Sequence, residues 1–271
     1  MTTESLRLPG SPFDKLAEDY DASFTQTMLG RWLRSAVWER LDANFADRGR
    51  ILDIGCGTGE DAIHLASQGH SVVATDISMP MLEIAREKAK RAGCARQVNF
   101  FCLTMEQLGV ELAGETFDGV CSNFGAVNCV SDLEPFVENI ANLLKPGAPL
   151  VWVVMGRHVP WEWAWFLARL EGRKAFRRLH HQGTEWRGLR INYPTPAALA
   201  RALGPHFDPV RRRSLGLVLP PSYASNWLER WPRLFSMLAR VERMASAWQP
   251  LAAAADHYIM EARCRPTEKL A

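Results

Sequence analysis

Two rhythms of apolar residues alternate along this chain. Short, nearly unbroken apolar runs at 51–54, 71–76, 98–102, 117–122 and 149–155 are closed by glycine or polar residues. Between them, at 60–68, 81–91 and 132–144, apolar residues recur at helical spacing; in the first of these stretches Ala62, Ile63, Leu65 and Ala66 form the inward side. Unbroken runs suit strands covered on both faces, so their alternation with helices predicts a doubly wound α/β fold on a mostly parallel sheet. Residues 207–219, halted by Pro220-Pro221, and 255–263 supply a sixth and a seventh strand.

Elsewhere the pattern is less regular. Residues 31–45 read as an amphipathic helix with Trp32, Ala36, Leu41 and Phe45 on one side. Residues 161–179 read as one helix, apolar at Trp161, Trp165, Phe166, Leu170 and Phe176 and basic at Arg169, Arg173, Lys174, Arg177 and Arg178. Residues 186–193 alternate weakly and read as an extra strand, and 195–203 as a short helix opened by an N-cap threonine and a first-turn proline, Thr195-Pro196. In 227–248, Trp227, Trp231, Leu234, Leu238, Val241, Ala245 and Trp248 recur at spacings of four and three beside a row of Arg230, Arg233, Arg240 and Arg243. Proline disfavours a helical residue before it, so Pro232 predicts a break at Trp231. The expected organisation is an N-terminal helical cap (1–49), a cofactor-binding core (50–156), a lid insertion (157–194), a core helix and sixth strand (195–221), a second helical lid insertion (222–254), and a closing strand and tail (255–271).

Chemistry enters where Leu52-Asp53-Ile54 opens into Gly55-Cys56-Gly57-Thr58-Gly59 ahead of a helix. Strand, tight turn and helix start follow in order, and the glycines let a ligand approach the main chain with no Cβ in the way. The next strand ends on Asp76, where a doubly wound sheet would hold a ribose diol. These residues, with Ile77 and Ser78, resemble the class I S-adenosylmethionine (SAM)-dependent methyltransferases, in particular the small-molecule branch typified by quinone-biosynthesis methyltransferases. The glycine spacing differs from the G-x-G-x-x-G of nicotinamide-binding units.

The resemblance implies a seven-stranded, Rossmann-like methyltransferase fold, SAM as cofactor and S-adenosylhomocysteine as product. It implies that Asp76 takes the ribose hydroxyls and that Gly55 and Gly57 present backbone to the homocysteine part. Asp53 fixes the turn or holds the amino group through water, and Cys56, Gly59, Ile77 and Met81 complete that part of the set. The stretch Phe13-Asp14-Lys15-Leu16-Ala17-Glu18-Asp19-Tyr20-Asp21 resembles the family's "F-D-x-x-A-x-x-Y-D" segment, which folds over the cofactor, so Tyr20 would help close the site; a plain surface helix anchored by Leu16 and Tyr20 is the other reading. Thr104-Met105-Glu106 stands at the adenine position. There Thr104 replaces the usual aspartate, and its hydroxyl accepts less strongly than a carboxylate would. Ser122, Asn123 and Phe124 form the turn after the fourth strand, expected at the methionine end and facing the acceptor; Asn128 either reaches the acceptor or only caps the following turn. Lys145-Pro146-Gly147, ahead of the fifth strand, is also characteristic of the family.

Composition changes this picture in two places. Net charge is +2, yet 157–250 carries 16 Lys/Arg against 6 Asp/Glu and seven of the ten tryptophans, so an acidic core bears a basic, aromatic insertion. The six cysteines form no C-x-x-C pair and no metal-ligand spacing, which predicts structural thiols and no metal site. The start of the chain lacks the apolar core of a secretory signal, and no stretch is apolar enough to span a bilayer; a cytoplasmic protein is the expectation, membrane-peripheral if the insertions meet lipid.

Methyl transfer from a sulfonium asks the protein mainly for orientation and exclusion of water. The catalytic residue is accordingly unknown at this level. His158 is a weak candidate base, followed by Glu162 and the pair His180-His181, which better suits a helix end. The insertions allow three uses: a lid lining a pocket for a small apolar or aromatic acceptor, a surface against an anionic membrane that delivers a lipid-like acceptor, or a dock for an acidic carrier. No nucleic-acid partner is expected, since no RNA-binding module or N-P-P-Y-type loop is present. A nicotinamide-dependent oxidoreductase and a non-catalytic scaffold are the alternatives.

Overall fold

The computed structural model describes residues 10–221 and 226–266. Five parallel strands form the centre: β1 (Arg50–Ile54), β2 (Ser71–Asp76), β3 (Val98–Cys102), β4 (Gly119–Ser122) and β5 (Pro149–Met155). Later in the chain come the small strands β6 (Thr184–Trp186) and β7 (Leu189–Ile191), then β8 (Phe207–Leu215) and β9 (His257–Cys264). The main sheet has the order β3-β2-β1-β4-β5-β9-β8, and only β9 runs antiparallel to its neighbours. Seven strands, mostly parallel, are what the apolar runs predict. The core of β1 and all of β5 up to Met155 is buried, as expected for strands covered on both faces. The edge strand β8 instead exposes much of its length and carries Arg211, Arg212 and Arg213, which discourages pairing with another chain.

Helices cover both faces. On one lie α2 (Met28–Asn44), after the short α1 (Ala17–Tyr20), with α3 (Glu60–Ser67) and, far along the chain, α10 (Pro232–Ser246). On the other lie the short α5 (Leu108–Glu111), α6 (Leu133–Asn142) and α9 (Pro196–Leu203). The helix α4 (Met79–Arg91) connects β2 to β3. Leu33, Val37 and Leu41 of α2 pack with Val151, Val153 and Ile259 of the sheet, and Phe136, Val137 and Ile140 of α6 pack with Leu150, Trp152 and Val154 on the reverse side. The register Asp53↔Ala74 and Asp53↔Cys121 sets the ends of β1, β2 and β4 at one rim of the sheet.

Three local expectations change. Residues 161–179 are not one helix: α7 (Pro160–Leu167) ends where Leu170 turns left-handed (φ 59°), and α8 (Gly172–Ala175) and a 3-10 turn at Arg177–Leu179 follow. The amide of Glu171 donates to the Phe166 carbonyl and that of Leu170 to Leu167, a helix-ending motif made without the glycine that usually signals it. Residues 186–193 are not one strand. β6 and β7 form a hairpin whose two-residue turn, Arg187-Gly188, has positive φ at both positions, the turn that matches strand twist. The sixth strand stops at Leu215 rather than 219, because the amides of Leu217, Val218 and Leu219 leave the sheet to bind the Glu242 carboxylate (3.0, 2.6 and 3.1 Å). The second insertion does break at Trp231, between a 3-10 turn (Asn226–Arg230) and α10.

Candidate active site

The glycine turn is pinned from below. The amides of Gly55 and Cys56 donate to the Thr75 carbonyl at the end of β2 (2.8 and 2.9 Å). Gly55, Gly57 and Gly59 all have positive φ. A Cβ on Gly55 would lie 2.2 Å from that of Ala126 in the turn after β4, with the Met105 methyl 3.8 Å away, whereas a Cβ on Gly57 would meet nothing within 4 Å. One glycine is demanded by packing and the other faces open space.

Around that space three turns bring polar groups together. Asp76 accepts from the amides of Gly57 and Ser78 (2.8 Å each), so its carboxylate ties the first turn to the second; burial raises its pKa against those donors. Asp53 lies beneath, almost wholly buried, with Oδ2 unpartnered. Burial, with the negative charge of Asp61 added, pushes its pKa well above the ordinary carboxylate range, and burial likewise pushes up the Cys56 thiol. From β4, the Ser122 hydroxyl donates to the Ile54 carbonyl (2.8 Å) and the Asn123 amide donates to Asp61 (3.0 Å), leaving Asn123 Oδ1 unpartnered. Phe124, at φ 55°, stands between the rings of Phe24 (5.1 Å) and His257 (5.9 Å), with the Arg34 guanidinium 5.1 Å from its centre. In the turn after β3, the Thr104 amide donates to Gln107 Oε1 (2.9 Å), Met105 leans on the Gly55 turn, and Glu106 is exposed. Ile77 is half-buried and Met81 buried.

The N-terminal segment closes this rim. Asp14 accepts from the Ser78 hydroxyl (2.7 Å); Asp21 accepts from the Thr58 hydroxyl and from Lys88 Nζ (2.8 Å each). Between those ties sits Tyr20, whose phenol is raised by burial and lies in the field of Arg34, Asp61 and Asp76. A π-type turn at Asp21–Thr25 then leads into α2.

Several of these groups carry no local signal. Asp61, in the first turn of α3, accepts from Arg34 (2.9 Å) and from the Trp38 indole (2.7 Å) as well as from Asn123, and these partners keep it ionised against its burial. On the far side, Glu162 of α7 pairs with Arg177 (2.7 Å) and Arg178 (2.6 Å), Arg178 reaches Asp256 (2.8 Å), and Asp256 holds His257 Nδ1 (3.1 Å). Burial works against Asp256, but His257 and Arg178 hold it far below its ordinary value. Glu162, named above as a candidate base, thus sits in a buried ion pair, where burial raises its pKa against the lowering pull of Arg178 and Arg177. His158 is half-buried with its ring edge-on to Trp163 (6.4 Å). His180 and His181 are exposed, and border a cavity of about 370 Å³ with Arg157, Asn192 and Tyr193. Asn128 is an internal staple. It is fully buried, accepts from the Met155 amide (2.8 Å), and donates to the carbonyls of Met155 (3.2 Å) and Asn192 (2.6 Å). Among the described residues no cluster of His, Cys, Asp or Glu could hold a metal ion.

Residues 51–147 match the family described as "methyltransferase domain". Over 150 residues the chain is 27% identical to the tRNA 5-carboxymethoxyuridine methyltransferase of Escherichia coli K12, covering 54% of this chain and 57% of that protein. Over 98 residues it is 41% identical to the ubiquinone biosynthesis O-methyltransferase of Rhizobium rhizogenes, covering 36% and 38%. The alignments thus span from over a third to just over half the length of these curated relatives. The fold is similar to that of the CcbJ methyltransferase of Streptomyces caelestis (TM-score 0.60, 16% identity, 95% of this chain and 99% of that one). The glycine turn, Asp76 and the turn after β4 all lie within the stretch that matches this methyltransferase domain family.

Proposed function

We propose that this protein transfers the methyl group of SAM to a small, apolar or aromatic acceptor. The observation that carries the reading is the slot itself: open space over Gly57, walled by the Asp76 carboxylate, with the orphaned oxygens of Asp53 and Asn123 behind it. Those groups fit a nucleoside bearing a cationic amino acid. Asp76 keeps lone pairs for a ribose diol after accepting two amides, since each carboxylate oxygen accepts twice. Asp53 and Asn123 would hold the ammonium, directly or through water. Thr104 and Met105 would meet the adenine, and Tyr20 would cover the ligand. A dinucleotide fits poorly, because Glu60 and Asp61 occupy the first turn of α3, where a pyrophosphate would meet like charge.

When bound, SAM supplies an already activated methyl group. What remains for the chain is to position the acceptor, exclude water and take a proton where one must leave. Of the histidines described above, His257 stands against Phe124 at the rim, while His158 stands against Trp163. Asp256 stands 3.1 Å from Nδ1, so Nε2 is the nitrogen turned away from that carboxylate, and His257 is the base this reading favours over His158. The relative named as a ubiquinone biosynthesis O-methyltransferase supports a small acceptor with oxygen as the receiving atom. The relative named as a tRNA methyltransferase favours a second reading, a tRNA acceptor. Weighing against it, Arg177 and Arg178 of the basic insertion are committed to internal carboxylates.

Calorimetry with S-adenosylhomocysteine tests the site. Micromolar binding is expected, and Asp76→Ala should remove most of it; unchanged affinity in that variant overturns the ribose assignment. Incubating the protein with methyl-labelled SAM and a cell extract separates the acceptors, since label in the organic-soluble small-molecule fraction supports the proposal and label in the tRNA fraction replaces it.

A further inference from the structure

The helix α10 is apolar on two opposite sides. Phe235 and Ala239 turn inward onto the core under α2, and Glu242 on the same side binds the three amides of 217–219. About half a helical turn around from them, Met237, Val241 and Met244 form a second stripe at spacings of four and three, and Trp248, just past the helix end, continues it. The exposures decide what this stripe is: 56% for Met237, 45% for Val241, 75% for Met244 and 64% for Trp248. Trp231, at the other end of the helix, is 63% exposed. One indole, that of Trp248, thus ends a row of flexible apolar side chains in water, and a second exposed indole stands at the start of the helix.

Charge identifies the occupant. Arg230, Arg233 and Arg240 are exposed beside this stripe and have no ion-pair partner among the described residues, and Arg243 meets Glu39 (3.1 Å). The only carboxylate of α10, Glu242, faces inward. A predominantly basic rim around a convex apolar ridge, with Trp248 at its end and the exposed acids Glu39 and Glu229 nearby, matches a bilayer interface carrying anionic headgroups. A second copy of the chain is a poorer partner, because a two-fold interface would set these arginines against themselves.

We infer that the outward face of α10 docks on an anionic membrane surface, with Met237, Met244 and Trp248 in the acyl–headgroup boundary and Arg230, Arg233 and Arg240 on the lipid phosphates. The helix lies on the surface and does not cross it; no helix among the described residues is long and apolar enough for that. This inference holds whichever acceptor is methylated.

The test sediments the full chain with phosphatidylglycerol–phosphatidylcholine vesicles and with pure phosphatidylcholine. Binding is expected to the first and far less to the second, and salt should weaken it. Arg233→Glu/Arg240→Glu and, separately, Met244→Gln/Trp248→Gln should each lower the partition coefficient at least about tenfold. Because these side chains are exposed, the thermal midpoint and S-adenosylhomocysteine affinity should stay as in the parent. Absence of co-sedimentation at low salt, or unchanged partition in both variants, overturns the inference while leaving the methyltransferase reading intact if the homocysteine nucleoside still binds. A concentration-dependent dimer that Met244→Gln/Trp248→Gln dissolves overturns it in favour of a second copy.

Discussion

An alanine at Gly55 and one at Gly57 would meet different surroundings, although both glycines have positive φ. At Gly55 the new methyl collides with Ala126 at 2.2 Å, and the turn after β4 has to move. At Gly57 it projects into the space assigned to the cofactor, at a backbone cost of about 1–2 kcal/mol. Gly57→Ala is therefore expected to fold with a slightly lowered thermal midpoint yet lose S-adenosylhomocysteine binding by more than about tenfold, whereas Gly55→Ala should lose both; the two measurements together separate packing from access. Asp53 makes a second prediction at this scale. Burial and the charge of Asp61 raise its pKa in the free protein, so it retains its proton further into the neutral range than an ordinary carboxyl. A cationic ligand favours the ionised form, so binding should release a proton and affinity should rise with pH until the free-protein pKa is passed. Titrations in buffers of different ionisation heat would measure the release, and Asp53→Asn should abolish it. A pH-independent affinity with no proton release would remove Asp53 from the ammonium site. Gly55, Gly57, Gly59 and Asp76 were legible because a turn and the strand end beside it state their requirements within a few residues. Asp61, Arg34 and Trp38 were not, since 27 and 23 positions separate the partners and nothing in the local pattern pairs them.

Elements show the same division between local and distant causes. The parallel strands were readable because burial on both faces leaves an uninterrupted apolar run. The insertion after β5 was misread because its shape is set from outside. Its first helix ends on Leu170, where no glycine marks the stop, and its last turn is held by Asp256, 78 residues beyond Arg178. That Arg178 is the keystone of the insertion can be tested. It joins Glu162 of α7 to Asp256 beside β9, and it donates to the Gly156 and Asp256 carbonyls as well. Arg178→Met keeps much of the volume but leaves buried Glu162 with Arg177 alone and Asp256 with His257 alone; removing one partner of a buried pair typically costs about 3–5 kcal/mol. The expected result is a large fall in the thermal midpoint, partly restored by adding Glu162→Gln, since a neutral amide no longer requires the guanidinium. Equal midpoints for Arg178→Met and the parent would mean that the ion pairs hold nothing together.

At the scale of the molecule, the proposed cofactor slot lies between the sheet rim and a segment tied to it mostly by polar contacts. Residues 14–21 reach the rim through Asp14–Ser78, Asp21–Thr58 and Asp21–Lys88, and Tyr20 is half-buried between them. On the proposed reading Tyr20 covers the slot, so a ligand would enter or leave as this segment lifts. The π-type turn at Asp21–Thr25, an uncommon geometry that recurs at functional sites, is where the lift would hinge. Polar ties of this kind contribute little to global stability but govern local opening. Burial would raise Asp21, yet Lys88 and Thr58 hold its carboxyl below the ordinary range, so the tie is complete at neutral pH and fails only as pH falls through that lowered value. Asp21→Ala should therefore change the thermal midpoint by no more than a few degrees. It should speed dissociation of S-adenosylhomocysteine about tenfold or more, and association should change less, because the lost contacts belong to the closed state. Stopped-flow displacement would measure both rates. A parental dissociation rate in Asp21→Ala would show that the segment is a fixed wall of the slot, with some other element controlling entry.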